Sequence, residues 1–235
     1  MDEFWRAILT AASMIWEFDA GLWEIIGLSL RVSLTATLIA ALIGLPLGAL
    51  IALGRFPGRR PLIVIFNALM GLPPVVVGLI VYLLLSRAGP FGVFNLLFTP
   101  TAMVIAQIIL VLPIIISLSR EILETLWEEY QEALRSLGAA PGQALVILLW
   151  EGRAMLITAL LAGFGRAVAE VGAVMIVGGN IDHVTRVMTT SITLEASKGN
   201  LSMALGLGIV LLVLSFAISI GAHGFRHVSN VRQPA

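Results

Sequence analysis

"GLSLRVSLTATLIAALIGLPLGALIAL", residues 27–53, carries a single charge, Arg31, in an otherwise apolar run. About 20 such residues cross a bilayer as a helix, because lipid offers no partner to an open backbone N–H or C=O. Three more stretches reach that length: 61–86, 100–119 and 201–224. A fifth, 143–178, is longer and is interrupted by Glu151, Arg153, Arg166 and Glu170. Its first part reads as a helix near the membrane surface, and about 154–178 reads as the span. The composition agrees: 59% of the 235 residues are hydrophobic and 12% charged, where a soluble domain carries about 25% charge. The expected fold is an all-α integral membrane protein with about five transmembrane helices.

Around this core, residues 2–18 mix Phe4, Trp5, Ile8 and Trp16 with Asp2, Glu3, Arg6 and Glu17. That pattern fits an amphipathic helix lying in the membrane interface. The expected organisation is an interfacial helix and lead-in over 1–26, a permease domain over 27–225 and a tail over 226–235. Five spans put the termini on opposite sides. With the N-terminus outside, the inner side holds Arg55, Arg59, Arg60, Arg120, Arg135, Arg153, Arg226 and Arg232. The outer side then holds Arg6, Arg87, Arg186 and Lys198. Inner loops carry the excess of Lys and Arg, so the N-terminus is expected outside and the C-terminus in the cytoplasm. Zero net charge gives no reason to expect a nucleic-acid partner, and the absence of cysteine excludes disulfides and thiolate metal sites. His183, His223 and His227 do not fall at metal-ligand spacing with acids.

Between the third and fifth apolar stretches lies "EEYQEALRSLGAAPGQALVILLW", residues 128–150. Glu121, Glu124, Glu128, Glu129 and Glu132 crowd a short segment rich in helix formers. A cytoplasmic helix is expected over about 121–137, ended by Gly138 and kept from an early restart by Pro141. Small residues at Ala133, Gly138, Ala139 and Ala140 would let a partner's surface approach the backbone.

"EALRSLG", Glu132 to Gly138, resembles the E-A-A-x-x-x-G signature of importer-type ABC transporter permeases. Glu132, Ala133 and Gly138 match, Leu134 replaces the second alanine, and the Leu-Pro that follows in the family pattern is absent. "MGLPPVVVGLIVYLLLSRAGPFG" (70–92) and "GFGRAVAEVGAVMIVGGNI" (163–181) look like the molybdate/tungstate branch, and "VTRVMTTSITLEASKGN" (184–200) looks most like the tungstate permeases. The resemblance implies that the segment 121–142 is the coupling helix that docks into a cytoplasmic ATP-binding subunit. It also implies a second copy of the chain, an extracellular or periplasmic oxyanion-binding protein, and no cofactor in this chain, with ATP and Mg used by the partner ATPase.

The only lysine, Lys198, lies in "ASKGN", so no phosphate-cradling P-loop is present. ATP power would have to come from separate subunits. The alternative is an ATP-independent channel or secondary transporter for a small anion. For a path through the membrane, "GLPPVVVG" (71–78) removes two backbone donors at Pro73 and Pro74, a break tolerated beside protein or a water-filled cavity. Arg166 and Glu170 lie four apart within a span, either as a self-neutralised pair or as a polar lining. Asn180, Thr185, Arg186, Thr189 and Thr190 in the stretch 176–192 would offer weak, distributed donors at an outer mouth.

Overall fold

The computed structural model describes residues 5, 6, 8, 9, 13 and 20–231. Of the segment expected as an interfacial helix, only those five positions before residue 20 are described, and they are helical; the rest of it, and 232–235, lie outside the described residues. Among the described residues from 20 onward there are nine α-helices: α1 Ala20–Leu53, α2 Arg59–Leu69, α3 Pro74–Leu85, α4 Pro100–Ser136, α5 Pro141–Glu151, α6 Arg153–Val168, α7 Gly172–Gly178, α8 Met188–Ser197 and α9 Leu201–Val231. Stretches in α1, α4 and α9 are each long and apolar enough to cross a membrane, and the bent pairs α2–α3 and α5–α6 bring the number to as many as five where each pair counts as one span.

The hydropathy reading needs three corrections. The stretch 61–86 is two helices bent by 99°, because Gly71, Pro73 and Pro74 interrupt the backbone ladder there. The 12 residues of α3 rise about 18 Å, short of a hydrocarbon core of about 30 Å. The expected span 154–178 stops at Val168 and restarts at Gly172, because Glu170 turns its carboxylate back to accept the Ala173 N–H at 3.0 Å. The acidic segment is not a separate helix. It continues the span 100–119 without a break, giving one helix of 37 residues, about 55 Å long. Of the tail expected over 226–235, the described part is helical as far as Val231.

α4 is the axis of the bundle. α1 lies along it, and two glycines of α1 permit the approach. A Cβ on Gly44 would meet Ile115 Cγ2 at 2.8 Å, and one on Gly48 would meet the Ile116 carbonyl at 2.9 Å and overlap the Ser119 hydroxyl. Gly163 of α6 makes a similar approach to Val111 and Ile115 from another side. Ala40, Ala41, Val111, Ile115 and Ala167 fill the space between these three helices. Small residues at such crossings are how helices pack where lipid removes the usual hydrophobic drive. On the outside, Leu34, Leu38 and Leu42 of α1, Leu79 and Leu83 of α3, and Leu212 and Phe216 of α9 are exposed, as lipid or another apolar surface would require.

Candidate functional site

The end of α4 carries the segment expected to dock a partner. Gly138 has φ +69°, a left-handed conformation that glycine adopts without steric cost. Its N–H bonds to the Arg135 carbonyl at 3.0 Å and that of Ala139 to the Leu134 carbonyl at 3.0 Å, the paired bonds of a Schellman helix end. Ala140 donates its N–H to Gln143 Oε1 at 3.0 Å, and α5 begins at Pro141. The chain therefore leaves one helix and enters the next within four residues.

This turn is fastened from behind and open in front. Leu134, Leu126 and Leu123 are buried with Ala144 and Leu148 of α5 and with Ala49 and Ala52 of α1. Glu124 pairs with both Arg59 and Arg120, and Arg59 also donates to the Ile51 and Ala52 carbonyls at the end of α1. By contrast Glu128, Glu129, Glu132, Ala133 and Gly138 are exposed, and nothing lies within 4 Å of a Cβ placed on Gly138. Leu137 is 81% exposed. Sequence reasoning missed it, since a leucine in a helical run reads as core; its place one residue before Gly138 was the available signal. Beside the turn, residues 52–61, Glu124, Trp127, Glu128 and Gln131 surround an open cleft of about 810 Å³.

The other candidate residues gather around the broken spans. Pro73 is exposed between α2 and α3, and Pro74 opens α3. α3 packs on α7 so closely that a Cβ on Gly78 would lie 2.7 Å from the Ala173 Cα. Arg166 and Glu170 do meet, at 2.5 Å, with the arginine side chain 30% and the glutamate side chain 3% exposed. The stretch 176–192 takes in the end of α7, a turn over 179–187 and the start of α8, and three of its threonines serve the chain's own backbone. Thr185 donates to the Gly178 carbonyl, Thr189 to the Glu170 carbonyl and Thr190 to the Val187 carbonyl. Arg186 pairs with Asp182 at 2.7 Å, while Asn180 Oδ1 and Arg186 Nε are buried atoms that lack a hydrogen-bond partner among the described residues. His183 joins this turn to Glu24 of α1 at 2.8 Å, and that hydrogen bond raises its pKa above the usual imidazole value. Among the described residues no three His, Asp or Glu side chains converge to hold a metal.

Residues 44–226 match the family described as the binding-protein-dependent transport system inner membrane component. The chain belongs to this family. It is therefore a membrane-embedded transport subunit with several spans, and the channel or secondary-transporter alternative falls away. The tungstate uptake system permease protein TupB of Peptoclostridium acidaminophilum is 44% identical over 209 residues, covering 89% of this chain and 92% of the relative. A probable anion ABC transporter permease protein of Haloferax volcanii is 40% identical over 208 residues, covering 86% and 90%. An inward-facing conformation of the MetNI methionine ABC transporter superposes with a TM-score of 0.72 over 92% of this chain and 97% of that chain. At 20% identity that likeness concerns the fold of the permease alone.

Proposed function

We propose that this permease imports a tungstate-class oxyanion into the cytoplasm as one of two identical subunits. Separate cytoplasmic ATPases, using ATP and Mg, would drive it, and an extracellular binding protein would deliver the anion. The observation that carries the ATPase contact is the helix end Glu132–Gly138, anchored by a buried inner face while Leu137 and the acidic side chains point outward. A short exposed leucine beside an open glycine turn is the shape of a knob that enters another protein's pocket. The 44% identity to a tungstate uptake permease supports the substrate class. Arg166, Glu170, Asn180, Arg186, Thr189 and Thr190, with the break at Pro73 and Pro74, remain the groups proposed to line the anion's path or its gate. Co-purification of the chain with its ATPase and binding protein, followed by competition among tungstate, molybdate and sulfate for uptake, tests the assignment. Failure to retain any ATPase would reject it.

The docking reading predicts the effect of two substitutions at Gly138. Leucine costs roughly 1–2 kcal/mol in a left-handed position and adds volume where only a partner would meet it. Gly138→Leu is expected to leave the chain inserted in the membrane but to abolish ATPase pull-down and uptake. Gly138→Asn, whose residue tolerates this backbone, should keep most of both. Full binding by the leucine variant would reduce residues 128–141 to a connector.

The proposed orientation has its own check. A cysteine at Asp2 should react with an impermeant thiol reagent added outside, and a cysteine at Glu129 should react only after the membrane is opened. The reverse pattern would invert the topology.

A further inference from the structure

At the break between α6 and α7 lies a small, partly enclosed cavity, lined among others by Ser29 and Ser33 of α1, Gln107 of α4, Glu170 and Thr189. Most of its polar atoms are spoken for. The Glu170 carboxylate takes the Arg166 guanidinium on one oxygen and the Ala173 N–H on the other. The Glu170 carbonyl takes the Thr189 hydroxyl at 2.8 Å. Ser29 Oγ donates to the Ile25 carbonyl and accepts the Met188 N–H. Gln107 is the clearest exception. It is 3% exposed, and its amide nitrogen donates to the Ala167 carbonyl at 3.0 Å. That bond fixes which end of the amide is which, and it leaves Oε1 buried with no partner among the described residues. An unpaired buried acceptor costs the desolvation it suffered without return, so native structures rarely keep one.

We propose that this cavity binds a single water molecule, which donates one hydrogen bond to Gln107 Oε1 and another to an oxygen of Ser33 or Glu170. Its size selects the ligand. The cavity gives the centre of a water-sized sphere about 10 Å³, close to the room one internal water needs. A tetrahedral oxyanion does not fit, and Glu170 would repel it. A bare cation would need five or more oxygens around it, whereas the Glu170 charge is already balanced by Arg166. The cavity therefore does not itself hold the transported anion, and the proposal does not depend on the substrate assigned to the permease. Its position gives it a role: with the water in place, α1, α4 and the α6–α7 break share one hydrogen-bonded cluster inside the apolar bundle. Gln107 is then a positioning residue for that break.

An experimental structure of the full-length wild-type permease in a lipid nanodisc, at a resolution that shows ordered water, is the test. The expected result is one peak about 2.7–3.2 Å from Gln107 Oε1, lost in Gln107→Leu under the same conditions. An empty wild-type cavity would overturn the proposal. So would a peak with about 2.3–2.6 Å contacts to five or six oxygens, which marks a cation, or a Gln107 turned so that Oε1 accepts from a protein donor. If the leucine variant does not fold, the wild-type density decides alone.

Discussion

Gly48→Val is expected to remove folded, membrane-inserted permease almost completely. The added side chain would enter a contact in which the Cβ alone already meets the Ile116 carbonyl at 2.9 Å and the Arg120 nitrogen at 3.1 Å. Those are backbone atoms of α4, so no rotamer change relieves the overlap, and α1 must move away along its length. Overpacking that side chains can absorb costs about 1–3 kcal/mol; separating the two longest-packed helices of the bundle costs more. Gly48→Ala should give a milder loss, and Gly27→Ala, where nothing lies within 4 Å, should give none. The readout is the yield of monodisperse protein after detergent extraction. A normal yield from the valine variant would show that α1 and α4 are not as close as described.

The second large effect lies at the fifth span. Arg166→Ala should leave the buried Glu170 carboxylate with the Ala173 N–H as its remaining partner. Breaking a fully buried pair by removing one member costs about 3–5 kcal/mol; here only the glutamate is fully buried, so the cost falls below that range and this variant should lose part of its folded protein. Arg166→Met combined with Glu170→Gln removes both charges while the amide oxygen still caps α7, and it should restore the fold. Uptake should nevertheless stay about tenfold or more below wild type, since one charge-assisted hydrogen bond to a passing anion is worth about 1.5–3 kcal/mol. Wild-type uptake by the double variant would make the pair purely structural and remove Arg166 from the proposed path.

The long apolar helices α1, α4 and α9 and the helix end at Gly138 were legible in the sequence because each rests on a local rule: apolar length for the first, a residue free to adopt positive φ for the second. The breaks were less legible. Pro73 and Pro74 announce one. The break after Val168 has no proline and comes from the Glu170 carboxylate accepting the Ala173 N–H, while the Glu170 carbonyl is taken by Thr189 of α8. The fusion of the acidic segment with the span before it went unread because a run of glutamates suggests a change of environment, while the helix itself meets no breaker between residues 114 and 136. Thr185, Thr189 and Thr190 look like free donors in a polar stretch, and only the fold reveals that their hydroxyls hold the turn together. Gln107, within an apolar helix, gave no sign of the buried group it belongs to.

The most direct test of the account is uptake by the permease reconstituted in liposomes with its ATPase and binding protein, measured with labelled tungstate. Accumulation should require ATP and the binding protein, and it should stop when the ATPase is left out or when Gly138→Leu replaces the wild-type permease. Tungstate entering at the same rate without ATP, or without the ATPase, would contradict an importer powered through the end of α4.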